Sequence, residues 1–182
     1  MTQKHNVSLQ FLARSILKDL KTLDEKIVFI ESCTGGQLGQ VLTEIPGASD
    51  SFCGSLVVYR TETKHQWLGI SKKQLEEKTA VHPWVAQQMA VKGLKMTPEA
   101  SLAVSITGYL GPEKSKKKEG LVYIGFARRS TPRKVWEIRK VLKVERKAQR
   151  SAMHFRKRMK LKASHAVLMV VRSLLSEQVK EH

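Results

Sequence analysis

The sequence predicts an α/β fold of three layers, α/β/α, in which helices cover both faces of one mixed β-sheet. Helical and strand patterns alternate in the first half of the chain, strand patterns cluster in the second half, and one long helical pattern ends it. The 182 residues are 41% hydrophobic and 27% charged, as in an ordinary globular domain. Because no repeat or low-complexity linker interrupts them, we expect residues 1–182 to form one domain.

The alternating first half begins with an amphipathic helix and a buried strand. Residues 7–23 place four apolar side chains on one helical face: Phe11, Leu12, Ile16 and Leu20. Residues 26–30 are a short, β-branched apolar run, which is typical of a strand buried on both faces. The other predicted elements of this half are helices at 37–43, 61–68, 72–79 and 83–93, and strands at 55–59 and 101–106.

The second half predicts two further strands and a long helix. Strands are expected at 121–127 and 134–144, and the latter alternates Trp136 and Ile138 with Glu137. Residues from 145 to about 179 contain no Gly or Pro, and their apolar side chains recur at helical spacing: Ala148, Ala152, Phe155, Met159, Ala163, Val167, Val170 and Leu174. This pattern predicts one long helix, or two joined ones, with a strongly basic outer face.

The positive charge is concentrated in the last third of the chain. The formal net charge is +17, of which residues 1–127 supply +4 and residues 128–182 supply +13. Such a field favours anionic partners, which can be nucleotides, nucleic acid or an acidic surface. Few aromatic residues accompany the basic ones, so base stacking is not expected, and any nucleic-acid binding would use phosphates without sequence preference.

The cysteines and the N-terminus indicate the cellular compartment in which we expect the protein. The two cysteines, Cys33 and Cys53, are too few for a disulfide scaffold and too far apart for a CxxC motif. The first ten residues are polar, and no apolar run reaches the length of a signal peptide or a membrane span. We therefore expect a cytoplasmic protein without membrane contact.

The segment Glu31-Ser-Cys-Thr-Gly-Gly36 is the first candidate for chemistry. It lies where a buried strand is predicted to end and a helix to begin, so free backbone N–H groups converge there. Glycines allow a ligand to approach the backbone, and the hydroxyls of Ser32 and Thr34 lie beside it. The segment suits a nucleophile beside an oxyanion hole, or a phosphate cradle. The simpler alternative is a helix cap followed by a glycine turn.

Three other segments are candidates for the site, and two of them are predicted to lie at the same edge of the sheet. Tyr59 and Lys64 can both face the crevice beyond the strand ends, where burial and positive charge would lower the pKa of a lysine; the alternative is a surface lysine. Thr107-Gly108 can line that crevice or be an ordinary strand exit. Arg146, with Arg150 four residues on, can bind a phosphate or belong to a solvated basic face.

Taken together, these segments resemble the C-terminal domain of the CinA family, in family order over roughly residues 8–175. The matching stretches are Glu31–Gly36, Ile45-Pro-Gly-Ala-Ser49 with Phe52, Val57-Val-Tyr59, Lys64, Leu68-Gly-Ile70, Thr107-Gly108, Gly111-Pro112, Gly120-Leu-Val-Tyr-Ile-Gly125, and Arg146 with Arg150. The resemblance implies an α/β/α fold and, for active members, hydrolysis of nicotinamide mononucleotide to nicotinic acid mononucleotide and ammonia, without metal or cofactor. It also suggests a homodimer.

The resemblance further implies roles for individual residues. Ser32 would be the nucleophile and neutral Lys64 the base, oriented by Tyr59 and Thr107. Backbone groups from Cys33 to Gly36 would stabilise the oxyanion. The predicted substrate-binding residues are Glu31, Cys33, Thr34, Gly35, Gly36, Gly108 and Arg146, the last as a candidate for the ribose phosphate or for organising Glu31.

The sequence departs from the family pattern in three places. The residues after Thr107-Gly108 are Tyr109 and Leu110, where the family often has small residues. The loop 113–119 is short, charged and without glycine, where the family has a glycine-rich loop. The last helix includes an insertion-like basic run at 154–162. The alternative function is therefore a non-catalytic or substrate-shifted member that binds nucleic acid or another anionic partner through this helix.

Overall fold

The computed structural model describes residues 7–111, 118–132, 134–143 and 151–181. The six helices of these ranges are α1 (Leu9–Thr22), α2 (Gln37–Thr43), α3 (Thr61–Leu68), α4 (Lys72–Lys78), α5 (Pro83–Met96) and α6 (Ala152–Glu181). The five strands are β1 (Ile27–Glu31), β2 (Phe52–Val57), β3 (Leu102–Gly108), β4 (Leu121–Arg128) and β5 (Trp136–Val141).

The strands form one mixed sheet in the order β2-β1-β3-β4-β5. The pairs β1–β2 and β1–β3 are parallel, whereas β3–β4 and β4–β5 are antiparallel. The three parallel strands therefore end at the same edge of the sheet, and the segments after Glu31, Val57 and Gly108 are neighbours in space.

Two separate cores cover the two faces of the sheet, which confirms the predicted three-layer α/β/α fold. Alternate residues of β1 enter different cores, so that Ile27 and Phe29 pack with α1, α2 and α6, while Val28 and Ile30 pack with α3, α4 and α5. All five residues of β1 are buried, as its continuous apolar run predicts.

The long basic helix predicted from residue 145 onward is described by the structure from Ala152. It runs from Ala152 to Glu181, and residues 144–150, including Arg146 and Arg150, lie outside the described residues. Phe155, Met159, Ala163 and Val167 are buried as expected. Ala152, however, is exposed, and the burial continues through Val171 and Leu175, which are fully buried, while Val170 and Leu174 are only half-buried at the edge of the same face.

Two other local predictions were wrong. Strand β2 occupies residues 52–57 rather than 55–59, because the positive φ of Gly54 (+135°) is accommodated inside the strand beside a shift in the β1–β2 register. Phe11 is half exposed rather than buried in the apolar face of α1, and the Arg172 guanidinium lies over its ring at 5.1 Å.

Candidate active site

The turn after β1 is organised by the buried carboxylate of Glu31. The backbone N–H groups of Gly36, Leu38 and Gly39 donate to it at 2.9, 3.2 and 2.9 Å, and Ser55 Oγ donates at 2.7 Å. A carboxylate is favourable there because the N-terminus of α2 is electropositive. These three N–H groups are already occupied, so they are not available as the phosphate cradle that the sequence left open.

The same turn presents Ser32 at the carboxyl end of the parallel strands. The Gly35 N–H donates to Ser32 O at 3.1 Å and closes the turn. Gly35 and Gly36 have φ of +61° and +90°, a backbone conformation that glycine adopts without steric cost. Ser32 is thereby held in a fixed position with only 6% of its surface exposed.

Lys64 reaches Ser32 from the first turn of α3. Its Nζ lies 3.0 Å from Ser32 Oγ and 2.7 Å from Val58 O, and the residue is fully buried. Burial lowers the pKa of the Lys64 ammonium from 10.5 to about 8, and the charge of a Cys33 thiolate would act in the opposite direction. A neutral amine at this position can donate an N–H to Val58 O and accept the hydroxyl proton of Ser32.

Some of the backbone N–H groups beside Ser32 already donate a hydrogen bond, and others remain available to a ligand. Those of Gly35 and Gly36 already donate to Ser32 O and to Glu31. Within the described ranges, the N–H groups of Cys33 and Thr34 donate to no backbone oxygen, although the Cys33 N–H lies close enough to its own sulfur to oppose the rise in the pKa of that thiol. The oxyanion hole that the sequence assigned to residues 33–36 is thus narrowed to these two donors.

Cys33 is not a competing nucleophile. Its side chain is buried, and burial raises the pKa of its thiol to about 12, although the Lys64 and Arg156 charges oppose that shift. A thiol that remains protonated at neutral pH is a poor nucleophile.

A cavity of about 300 Å³ opens over Ser32. Its walls include Cys33, Tyr59, Thr107 and Gly108, which come from the ends of all three parallel strands. The other lining residues are Ala80, Val81, Tyr109, Leu110, Gly111 and Arg156.

The two predicted orienting residues lie at opposite depths of this cavity. Thr107 is buried and its hydroxyl donates to Ala80 O at 2.8 Å. Tyr59 lies at the mouth with 55% of its surface exposed, and its hydroxyl accepts a hydrogen bond from the Arg156 guanidinium. The structure therefore brings Ser32, Lys64, Tyr59 and Thr107 together, whereas Glu31 supports the turn from behind.

Arg156 is the residue that sequence reasoning missed. It belongs to the basic run of α6, far from Tyr59 in sequence, and it lines the cavity only because α6 packs across the sheet. The one sequence signal was the unusual basic run itself. Arg146 and residues 113–117 of the predicted loop lie outside the described residues. The structure describes the last two residues of that loop, Lys118 and Glu119, and the Lys118 ammonium lies 5.6 Å from the centre of the Tyr109 ring.

A larger cavity of about 860 Å³ lies elsewhere, between the start of α1, β5 and the middle of α6. Two of its polar side chains have structural partners: Ser8 Oγ accepts from the Phe11 N–H at the start of α1, and His165 Nε2 lies 3.0 Å from Val7 O. No nucleophile–base pair occurs among its lining residues, which favours the smaller cavity as the candidate active site.

The fold and the site together define an α/β/α protein with a buried serine–lysine pair at the carboxyl edge of its parallel strands. The chain belongs to the CinA C-terminal domain family, whose model matches residues 9–169. The resemblance predicted from the sequence motifs is therefore confirmed.

Relatives and solved structures agree with this assignment. A CinA-like protein from Trichormus variabilis is 42% identical over 125 residues, which are 68% of this chain and 30% of the relative. A putative competence-damage inducible protein from Halothermothrix orenii is 42% identical over 56% of this chain and 25% of the relative. The chain thus spans less than a third of the length of these relatives.

Among solved structures, the competence/damage inducible protein CihA from Agrobacterium tumefaciens has a TM-score of 0.78 at 29% identity, covering 91% of this chain and 94% of that one. A competence or damage-inducible protein from Enterobacter asburiae has a TM-score of 0.79 at 24% identity, over 93% and 99% of the two chains, and supports the fold. Among the described residues, no helix has the length and apolar character needed to cross a membrane.

Proposed function

We propose that this protein hydrolyses the carboxamide of nicotinamide mononucleotide to nicotinic acid mononucleotide and ammonia. The observation that carries the proposal is the 3.0 Å approach of Lys64 Nζ to Ser32 Oγ in a buried setting. Burial lowers the lysine pKa to about 8, so about a tenth of the Lys64 side chains are neutral at pH 7 and available as a base.

The reaction divides into acylation and deacylation. Ser32 Oγ attacks the carboxamide carbon while its proton passes to Lys64 Nζ, and the developing oxyanion is stabilised by the N–H groups of Cys33 and Thr34. The C–N bond then breaks as the Lys64 ammonium returns the proton to the leaving nitrogen, which departs as ammonia. Water, deprotonated by Lys64, attacks the acyl carbon, and Ser32 leaves with that proton as the carboxylic acid product forms.

Ammonia release from nicotinamide mononucleotide by the wild type and by Ser32→Ala tests the proposal. We expect release by the wild type and a loss of at least about a thousandfold in the variant, because the nucleophile is removed. Ser173→Ala, on the exposed surface of α6, is the matched control and keeps wild-type activity. A folded wild type without ammonia release contradicts the proposal.

A second candidate function is binding of nucleic acid through the outer surface of α6. The observation that favours it is the exposure of Lys157, Arg158 and Lys162 on the same helix. Binding through phosphates would be independent of sequence and steeply salt-dependent. Retention on immobilised duplex DNA at about 50 mM salt and release at about 200 mM supports this function. Absence of retention at the lower salt excludes it.

A further inference from the structure

Two cations of α6 lie beside the candidate active site. The Arg156 guanidinium lines the cavity over Ser32 and donates to the Tyr59 hydroxyl. Lys160 follows one helical turn later on the same face. Its Nζ lies 3.3 Å from the position that a Cβ on Gly35 would occupy, so it lies directly over the turn that presents Ser32.

These two cations differ from the rest of the basic run. Arg156 and Lys160 are half-buried, whereas Lys157 and Arg158 are exposed. Among the residues that the structure describes, no carboxylate lies within salt-bridge distance of either Arg156 or Lys160. The positive charge of Arg156 acts to lower the pKa of the Cys33 thiol, in agreement with its position beside the turn. The mouth of the cavity therefore carries positive charge without a described counter-ion.

The N-terminus of α2, where an anion would otherwise be expected to bind, is already occupied by a carboxylate. The N–H groups at the start of α2 donate to the Glu31 carboxylate, which also brings a negative charge to that position. A ligand phosphate would be repelled there and attracted instead to Arg156 and Lys160, where a guanidinium can bind phosphate oxygens through two N–H groups.

We propose that Arg156 and Lys160 bind the phosphomonoester of the substrate, so that α6 selects a phosphorylated nucleotide over the corresponding nucleoside. The inference rests on the proposed amide hydrolysis at Ser32 and adds the side chains that recognise the phosphate. The amide end of the ligand reaches Ser32, and its phosphate remains at the mouth between Tyr59 and the Gly35 turn.

The competing explanation is that Arg156 only orients Tyr59. The two roles differ in their dependence on the ligand phosphate. An orienting role affects phosphorylated and unphosphorylated substrates equally, whereas a phosphate-binding role affects the phosphorylated substrate alone.

The test compares Arg156→Gln/Lys160→Gln with Lys157→Gln/Arg158→Gln, which removes the same charge from the exposed face of the same helix. Each protein is assayed with nicotinamide mononucleotide and with nicotinamide riboside. We expect the first pair of substitutions to raise the KM for the mononucleotide about tenfold or more, since charge-assisted hydrogen bonds to phosphate are lost. Kinetics with the riboside change less than about twofold, and the exposed pair behaves as wild type.

Calorimetry with the same two ligands separates this inference from the proposed function. If the wild type releases no ammonia, tighter binding of the mononucleotide than of the riboside, lost only in Arg156→Gln/Lys160→Gln, still supports the phosphate site. Equal losses for both ligands, or a mononucleotide affinity that the substitutions leave unchanged, overturn it.

Discussion

At the residue scale, the account depends on one lysine that is costly to bury. Lys64 is completely buried, and in the described part of the chain its Nζ hydrogen-bonds to Val58 O and the Ser32 hydroxyl. An isolated buried charge is unfavourable, so the protein lowers the pKa of this group instead. The neutral form that results is the form that a general base requires.

This lowered pKa predicts how activity depends on pH. The base is neutral only above its pKa, so kcat/KM for the amide increases about tenfold per pH unit below pH 8 and levels off above it. Rates measured from pH 7 upward lie above most of the titration of the substrate phosphate, whose pKa is about 6. A profile that is flat or falling between pH 7 and 9 would show that Lys64 is not the base.

The sequence revealed Lys64 and concealed Arg156 for a physical reason. Tyr59 and Lys64 are separated by one strand exit and one helical turn, so local geometry brings both toward Ser32. Arg156 reaches Tyr59 across 97 positions of the chain, and that contact depends on how α6 crosses the sheet. Glu31 was likewise predicted to bind the ligand, whereas its carboxylate accepts, across the turn 32–36, from N–H groups at the start of α2.

At the element scale, the site depends on the close approach of α5 to the sheet. Ser105 Oγ donates to Ala86 O at 2.6 Å, and Gly125, opposite Ser105 on β4, leaves room for that contact. A Cβ on Gly125 would lie 2.3 Å from Ala86 O. The segment Ala80–Val81, which lines the cavity and accepts the Thr107 hydrogen bond, leads directly into α5.

Gly125→Ala tests this close packing. The added methyl group forces α5 away from the sheet, and we expect the free energy of unfolding to decrease by about 1–3 kcal/mol, with a loss of activity as Ala80 moves. Urea denaturation gives the midpoint shift, and Lys95→Ala on the exposed face of α5 is the control, with a change below about 0.5 kcal/mol. Unchanged stability in Gly125→Ala would mean that α5 is not held at this distance.

Element boundaries followed the sequence where one local pattern determined them. The apolar run of β1 and the capped helix α3 were predicted to within a residue. The bounds of β2 differ from the prediction because Gly54 adopts a positive φ inside the strand, and the alternation of side chains does not indicate such a residue. Strand β5 ends at Val141, three residues earlier than predicted, opposite Leu121, the first residue of β4.

At the scale of the whole molecule, the dominant feature is the net charge of +17. Charge of one sign raises the local concentration of oppositely charged ligands and is screened by salt. The half-buried Arg156 and Lys160 of α6 place part of that charge beside the cavity over Ser32, while the exposed face of the helix carries much of the remainder.

The net charge predicts a salt dependence that differs between substrates. The KM for nicotinamide mononucleotide increases several-fold as the ionic strength is raised from about 0.05 to 0.3 M, because attraction to the phosphate is screened. The KM for nicotinamide riboside, which lacks the phosphate, does not increase. Steady-state kinetics with both substrates over one salt series decide the matter, and an equal increase for the two would contradict the electrostatic account.

The central claim is that Ser32 and Lys64 act as one unit, and the most direct test is ammonia release by Ser32→Ala, Lys64→Met and the double variant, each confirmed to be folded. When two groups act in the same step, removing either one abolishes most of the rate enhancement that the two provide together. We predict that each single variant lowers kcat/KM by about a thousandfold or more and that the double variant is no worse than the poorer single one. Near-wild-type activity in either single variant, or losses that multiply in the double variant, would contradict the account.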